Sequence, residues 1–220
     1  MPSVKFSTFI PELTELMPIK KAKINDFAWY QRMVQEFQAM HLRPESHTSR
    51  CPGIISICNQ GWIQCAYQDF SITTRGDGIN FDWRTEIDQA ALPTIGSILK
   101  DYISYHTQSQ LFRFNRFKKA TLETIVKIQS PWMVEVPEGY CLISMPVPYN
   151  DNNHFTALHG IIKDTNWLNI QLMWHTLSGE IVITKGTPLC QYVLVKDESV
   201  DWTVEPIDDR VTLMKLLAMK

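Results

Sequence analysis

Three histidines and a glutamate in the C-terminal half could supply metal ligands. His154, His159, His175 and Glu180 are the candidates, and a β-barrel metal oxygenase needs two histidines and a carboxylate that converge on one ion. His154 and His159 lie five residues apart, which would place them on opposite faces of a strand. No short His-x-His or His-x-Asp pair is present. The sequence therefore predicts no metal and no other cofactor. A cupin-like metal oxygenase that uses these histidines is the least favoured of the alternative functions.

The cysteines predict free thiols. Their number is odd, no two form a C-x-x-C pair, and the spacing of seven between the first three matches no zinc pattern. They are Cys51, Cys58, Cys65, Cys141 and Cys190. Unpaired thiols are typical of a reducing compartment, so we expect an intracellular protein.

The usual motifs for nucleophilic or phosphate chemistry are missing. The sequence contains no G-x-S-x-G, no G-x-x-x-x-G-K-[ST] and no G-x-G-x-x-G before a helix. Residues 112–119, FRFNRFKK, interleave four cations with three aromatic rings. Such a pattern could bind single-stranded nucleic acid, but a strand with an inner and an outer face explains the alternation more simply.

Composition and charge exclude several classes of protein. The 220 residues are 45% hydrophobic and 20% charged, which argues against a disordered chain. The formal net charge is −2, whereas a dedicated nucleic-acid binder would carry a basic excess. No apolar run approaches the roughly 18 residues of a membrane span. We therefore expect neither nucleic acid nor a membrane as a partner.

The elements that would position these residues are mainly strands. Residues 1–50 predict an extended arm and a helix that packs on the body, with Asn25 as its N-cap and apolar residues at helical spacing from Phe27 to Phe37. Residues 51–200 predict a β-rich body, because short β-branched and aromatic runs alternate with turns. Residues 201–220 predict a helical tail. The fold class is mainly β, a single sandwich or roll with an N-terminal and a C-terminal helix.

The strand prediction is most definite in the C-terminal half of the body. The runs are 122–128, 133–136, 140–145, 155–162, 168–174, 180–184 and 189–195. Further upstream, Asp77-Gly78 predicts a hairpin turn before Phe81, and the segment Cys51–Ile57 is expected to open the β-rich body.

Several short motifs lie between about Trp29 and Lys196. They are Trp29-Tyr30, Arg50-Cys51-Pro52, Ser130-Pro131-Trp132, Pro137-Glu138-Gly139-Tyr140, Gly160–Thr165 and Lys185-Gly186-Thr187-Pro188 with Gln191. Together they resemble an uncharacterised protein family of tailed phages, marine cyanophages and their relatives. The resemblance implies a phage protein located in the host cytoplasm or in the virion.

Three segments in the C-terminal half follow one another in a second recognisable order: Pro137–Tyr140, Gly160–Trp167 and Lys185–Gln191. They are more distantly similar to three consecutive motifs in the β-roll of dUTPases and dCTP deaminases. The likeness implies that Asp164 orients a sugar, that Trp167 stacks under it, and that Asn166 and Gln191 complete a ligand site. Because 140–148 reads YCLISMPVP and lacks the phosphate-binding R-S-S turn, pyrophosphate hydrolysis is not expected.

These observations favour a non-catalytic phage protein that acts by binding or assembly. Seven Trp and ten Phe predict more aromatic surface than one core absorbs, and hence a homo-oligomer, a trimer if the roll resemblance holds. Other virion proteins are further candidate partners. The main alternative is an enzyme that acts on a nucleotide or small metabolite in a dUTPase-like pocket.

Overall fold

The computed structural model describes residues 2–40, 51–85, 102–107, 109–110, 121–150, 152–199 and 201. The helices in this part are α1 (Leu13–Leu16), α2 (Ala28–Ala39) and α3 (Pro52–Cys58), and a 3-10 turn covers Ile24–Asp26. The strands are β1 (Lys5–Thr8), β2 (Lys20–Lys21), β3 (Trp62–Cys65), β4 (Phe70–Arg75), β5 (Phe81–Thr85), β6 (Ile103–His106), β7 (Ile125–Ile128), β8 (Trp132–Glu135), β9 (Tyr140–Met145), β10 (Phe155–Ala157), β11 (Gly160–Ile162), β12 (Thr165–Trp167), β13 (Ile170–Trp174), β14 (Ser178–Ile183) and β15 (Pro188–Lys196).

The strands form four antiparallel sheets. Their orders are β1-β8-β12, β10-β13-β7-β6, β11-β9-β15-β3-β2 and β14-β4-β5. The predicted mainly β fold class is confirmed. Each of the seven predicted runs overlaps at least one strand, and the run 155–162 contains two, β10 and β11.

The predicted hairpin at Asp77 is also confirmed, since β4 and β5 pair directly on either side of it. The Asp77 carboxylate accepts hydrogen bonds from the N–H groups of Ile79 and Asn80, each at 2.9 Å. These bonds, with that from the Asn80 side chain, lower the pKa of Asp77. The side chain thus closes its own turn, as Asx residues do.

Two apolar clusters hold the sheets together. The larger one contains the fully buried side chains of Trp174, Tyr102, Tyr192 and Phe70, and strands of every sheet contribute to it. The smaller cluster is built around Phe27, Cys58 and Ile63, where α3 and the 3-10 turn pack on the largest sheet. Burial of aromatic and aliphatic side chains on this scale is the main source of stability.

The N-terminal segment enters the sheets before it turns into helix. β1 pairs with β8 over four residues, from Lys5 opposite Glu135 to Thr8 opposite Trp132, and β2 pairs with β3. The helix predicted after residue 25 is present as α2.

Two local predictions are wrong. Asn25 is not the N-cap of α2: it lies in the 3-10 turn, and Phe27 occupies the cap position without a capping side chain. The 3-10 turn precedes α2 along the chain because the amide oxygen of Asn59 accepts the Ile24 N–H at 2.9 Å and holds the start of the turn. The segment after Cys51 opens with helix α3 instead of a strand, since Pro52 starts the helix and its apolar residues pack on the smaller cluster.

Two further predictions fall outside the described residues. They are the helical tail, apart from Asp201, and the aromatic and basic run 112–119. Among the helices that are described, none is long and apolar enough to cross a membrane.

Candidate functional site

Asp164 lies in the turn that carries the chain from β11 to β12. Its φ is +58°, a left-handed conformation that Asp and Asn adopt more readily than most residues. Its carbonyl accepts the Val136 N–H at 2.9 Å, so the main chain holds the turn. β11 pairs with β9 and β12 pairs with β8. The turn therefore moves the chain from one sheet to another and does not close a two-stranded hairpin.

The neighbours of Asp164 fix this corner of the molecule. Lys163 forms a 2.5 Å ion pair with Asp197, and the hydrogen bond that its ammonium donates to that carboxylate raises the pKa of Lys163. The side-chain oxygen of Asn166 accepts the N–H of Trp167 at 2.8 Å. Asn166 thus binds the neighbouring main chain, which is the structural alternative to a ligand contact.

Trp167 is the predicted site residue that faces a cleft. The residue is 41% exposed, and its ring contacts the ring of Phe9 edge to face at 5.6 Å between centroids. The cleft holds about 170 Å³. Its polar walls are Ser144, His159, Asn169 and Gln171, and Cys190 also lines it. An exposed indole above such a mixed lining could bind a ring-bearing or hydroxylated small molecule.

Gln191 does not line this cleft. Its side chain is fully buried, and its amide nitrogen donates to the carbonyls of Ile57 at 2.8 Å and Gln60 at 2.7 Å. It therefore closes the C-terminal end of α3, where carbonyls lack helical partners. Because side chains alternate along β15, its neighbour Cys190 lines the cleft instead.

The cleft wall rests on a buried polar network. The hydroxyl of Tyr192 donates to Gln64 at 2.8 Å, and the amide nitrogen of Gln64 donates to the hydroxyl of Ser130 at 2.8 Å. The Ser130 N–H donates to the side-chain oxygen of Asn169 at 3.0 Å. Burial raises the pKa of Tyr192 well above its usual value, and raises that of Cys190 to about 12. Both groups are therefore neutral at physiological pH.

Within the described residues, the candidate histidines do not assemble into a metal centre. His154 Nδ1 lies 3.0 Å from the Thr176 hydroxyl, and His175 Nε2 lies 2.7 Å from that of Thr156. His159 lines the cleft near Trp167. Over the described ranges, no group of three His, Cys, Asp or Glu side chains could hold an ion.

Phe81, Trp83 and Tyr105 form an exposed aromatic patch that was not predicted from the sequence. The Phe81 and Trp83 centroids lie 5.6 Å apart, and Tyr105 lies 6.1 Å from Phe81 and 6.3 Å from Trp83. Trp83 is 38% and Tyr105 50% exposed. The period-two spacing of Phe81 and Trp83 was visible in the sequence, but their proximity to Tyr105 depends on two sheets that meet in space.

The architecture defines a mainly β protein of antiparallel sheets with an aromatic-lined cleft. No family model matches the chain, and no curated protein matches its sequence. Among solved structures, the native dUTPase of EIAV is similar at 8% identity and a TM-score of 0.38, covering 94% of this chain and 99% of that one. A mutant dUTPase from phage phi11 of S. aureus is similar at 16% identity and a TM-score of 0.30, covering 49% of this chain and 99% of that one. The resemblance to dUTPases is distant.

Proposed function

We propose that this chain is a non-catalytic phage protein that acts by binding and assembly, and that it self-associates through the edge of β5. The observation that carries the proposal is the aromatic patch of Phe81, Trp83 and Tyr105. Exposed aromatic rings that touch one another are typical of protein interfaces, because each can bury a large apolar area at a low cost in conformational entropy.

The position of the patch favours strand addition. β5 is the last strand of the order β14-β4-β5, and β6 is the last of β10-β13-β7-β6. Within the described residues, neither strand pairs on its outer side. An uncovered edge strand offers free main-chain N–H and C=O groups to a further strand.

The residues of β5 suit a second copy of the same strand. An antiparallel pair centred on Trp83 would place Asp82 of each copy opposite Arg84 of the other. Both side chains are exposed, and Asp82 already pairs with Arg75 at 2.5 Å within the chain. A two-fold contact of this kind is self-complementary, with the two indoles at its centre and opposite charges beside them.

Mass measurement with variants tests the proposal. We expect the wild-type protein to approach twice 25.5 kDa in light scattering as its concentration rises. Trp83→Thr should weaken the association at least about tenfold. Val182→Thr is the matched control, because Val182 is exposed on β14, the opposite edge strand of the same sheet. A wild-type monomer throughout the micromolar range contradicts the proposal. A trimer that Trp83→Thr leaves intact places the interface elsewhere and favours the trimer implied by the roll resemblance.

The proposed location is the host cytoplasm or the virion, where other virion proteins would be partners. Mass spectrometry of purified phage particles separates the two locations. Detection at a stoichiometry similar to that of structural proteins would identify a virion component.

An enzyme that acts on a nucleotide or small metabolite is the second candidate. The observation in its favour is the exposed ring of Trp167 at a cleft lined by Ser144 and His159. A panel of nucleotides and sugar phosphates should then raise the melting temperature, and Trp167→Leu should abolish that rise. If no compound raises it, the assembly proposal stands without this alternative.

A further inference from the structure

We propose that a cleft between the N-terminal segment and the largest sheet binds a small molecule that carries a phosphate monoester. The cleft holds about 200 Å³, and it is separate from the one that Trp167 lines. Its lining combines a cationic rim with an apolar floor. The rim would bind the phosphate, and the floor would contact the apolar part of the ligand.

The rim carries three lysines. Lys20 and Lys21 form β2, and Lys23 follows two residues later, directly before the 3-10 turn. All three line the cleft together with one carboxylate, that of Asp26. In the described part of the chain, none of the three ammonium groups forms an ion pair. The lining residues therefore carry an excess of two positive charges, although the whole chain carries a net charge of −2. Lys20 lies opposite Ile63 and Lys21 opposite Trp62, so the two side chains leave β2 on opposite faces, with that of Lys20 on the side of the floor.

The floor is apolar and belongs to the sheet. Ile63 and Cys65 lie on one face of β3 because they are two residues apart, and Pro188 lies opposite Cys65 on β15. Phe27 closes the side nearest α2. Burial raises the pKa of the Cys65 thiol, and the charge of Lys20 lowers it. Lys20 lies opposite Ile63 in the pairing of β2 with β3, so its side chain leaves the strand on the face that carries the floor.

The charge and size of the cleft define the class of ligand. A phosphate monoester carries close to two negative charges at neutral pH, which matches the excess carried by the lining residues, whereas a carboxylate or sulfonate carries one. Lysines bind phosphate as compact, mobile point charges. The volume is below the roughly 300–1,000 Å³ of sites for drug-sized ligands. The cleft therefore suits a phosphate joined to about one ring, and the ring would contact Ile63 and Pro188.

Phenyl phosphate is the probe that tests both parts of the cleft. We expect calorimetry to show saturable binding that weakens as salt is added. Benzenesulfonate, which keeps the ring and loses one charge, should bind at least about tenfold more weakly, and so should inorganic phosphate, which keeps the charge and loses the ring. The combined variant Lys20→Gln, Lys21→Gln and Lys23→Gln should also lose at least about tenfold in affinity for phenyl phosphate.

The matched control removes three lysines elsewhere. Lys5→Gln, Lys163→Gln and Lys196→Gln change the net charge equally but alter only exposed ion pairs outside the cleft, so this variant should bind phenyl phosphate like the wild type. A direct readout is alkylation by iodoacetamide, located by mass spectrometry. Bound phenyl phosphate should slow modification of Cys65, which lines the cleft, and not that of the exposed Cys51.

Each contrary result is decisive. Equal loss of affinity in both triple variants means that phenyl phosphate responds to overall charge, which overturns the site. Unprotected Cys65 at saturation places the ligand elsewhere. Binding of an oligonucleotide or an acidic peptide without any binding of phenyl phosphate would show a surface for a macromolecule and overturn the small-molecule proposal.

Discussion

The hydroxyl of Tyr192 donates a hydrogen bond to the side-chain oxygen of Gln64 across the pair of strands β15 and β3, at 2.8 Å. Both residues are buried, with exposures of 1% and 3%. The amide nitrogen of Gln64 donates in turn to the hydroxyl of Ser130, and this hydroxyl also accepts the N–H of Trp132 at 3.1 Å. The network thus joins the largest sheet to the sheet that contains β12 and Trp167.

Removal of the Tyr192 hydroxyl should destabilise the protein. Tyr192→Phe keeps the ring and leaves the buried oxygen of Gln64 without its donor, so we expect a loss of about 1–3 kcal/mol in the free energy of unfolding. Urea denaturation measures this loss. Tyr149→Phe is the control, because Tyr149 is 56% exposed, and it should change stability by less than about 0.5 kcal/mol. Equal stability of the two variants would mean that the network contributes nothing.

Gln191 should prove to be a structural residue. Gln191→Met keeps the length of the side chain but removes the donor shared by the carbonyls of Ile57 and Gln60. We expect a loss of about 1–2 kcal/mol, because the Gln60 carbonyl loses its side-chain donor, whereas the Ile57 carbonyl keeps the N–H of Gln60. Urea denaturation checks the prediction against Gln171→Met, an exposed position on β13. A Gln191→Met protein of wild-type stability that fails to bind a nucleotide would restore the ligand role expected from the sequence.

The features that were predicted correctly from the sequence are those that a local residue pattern determines. β9 was predicted over its observed bounds, Tyr140–Met145, because its run follows the turn Pro137-Glu138-Gly139 and has a strand-like composition. The Asp77 turn was predicted because its hydrogen bonds reach only two and three residues along the chain. In both cases the determining contacts lie within a few residues.

Contacts between residues far apart in the sequence account for the features that were predicted wrongly or not at all. The Asn25 cap was wrong because Asn59, 35 residues from Ile24, stabilises a different start. Gln191 was expected in a ligand site, whereas its partners Ile57 and Gln60 lie 134 and 131 residues away. The two clefts and the aromatic patch likewise depend on which strands become neighbours, and residue patterns alone do not determine that choice.

Alkaline pH should destabilise the protein through Cys190. Burial raises the pKa of this thiol from 9.0 to about 12, so between these values the unfolded chain releases a proton that the folded chain keeps. Stability is therefore complete below about pH 9 and falls as pH rises toward 12, with a slope of up to about 1.4 kcal/mol per pH unit from this group. Buried tyrosines add to the loss, because burial also raises the pKa values of Tyr67 and Tyr102.

The contribution of Cys190 can be isolated by substitution. Cys190→Ala removes the buried thiol, so its stability should fall less steeply than that of the wild type above pH 9 in urea denaturation at a series of pH values. Cys51→Ala is the control, because Cys51 is exposed, and it should keep the wild-type slope. Identical slopes for all three proteins would show that Cys190 does not resist ionisation in the folded state.

All five thiols should be free in the purified protein. The structure leaves every cysteine unpaired, with Cys58, Cys141 and Cys190 buried and Cys51 exposed. Titration with a thiol reagent should therefore find five groups under denaturing conditions. Under native conditions the exposed Cys51 should react first, since the buried thiols are out of reach of the reagent. Three or fewer thiols after denaturation would contradict the expectation of a reducing compartment.

Substitutions of Asp164 distinguish two roles for this residue, that of a turn residue and that of a ligand-binding residue. Its φ of +58° favours Asn as much as Asp, and the turn is held by its carbonyl. Asp164→Asn should therefore change the free energy of unfolding by less than about 0.5 kcal/mol. Asp164→Ala should cost about 1–2 kcal/mol, because alanine is strained in the left-handed region, and Asp164→Gly should cost less than Asp164→Ala. This order, measured by urea denaturation, reports the backbone alone. Melting scans with nucleotides and sugar phosphates test the carboxylate: if a compound stabilises the wild type and not Asp164→Asn, the carboxylate binds that ligand, and equal stabilisation of both proteins leaves Asp164 as a turn residue.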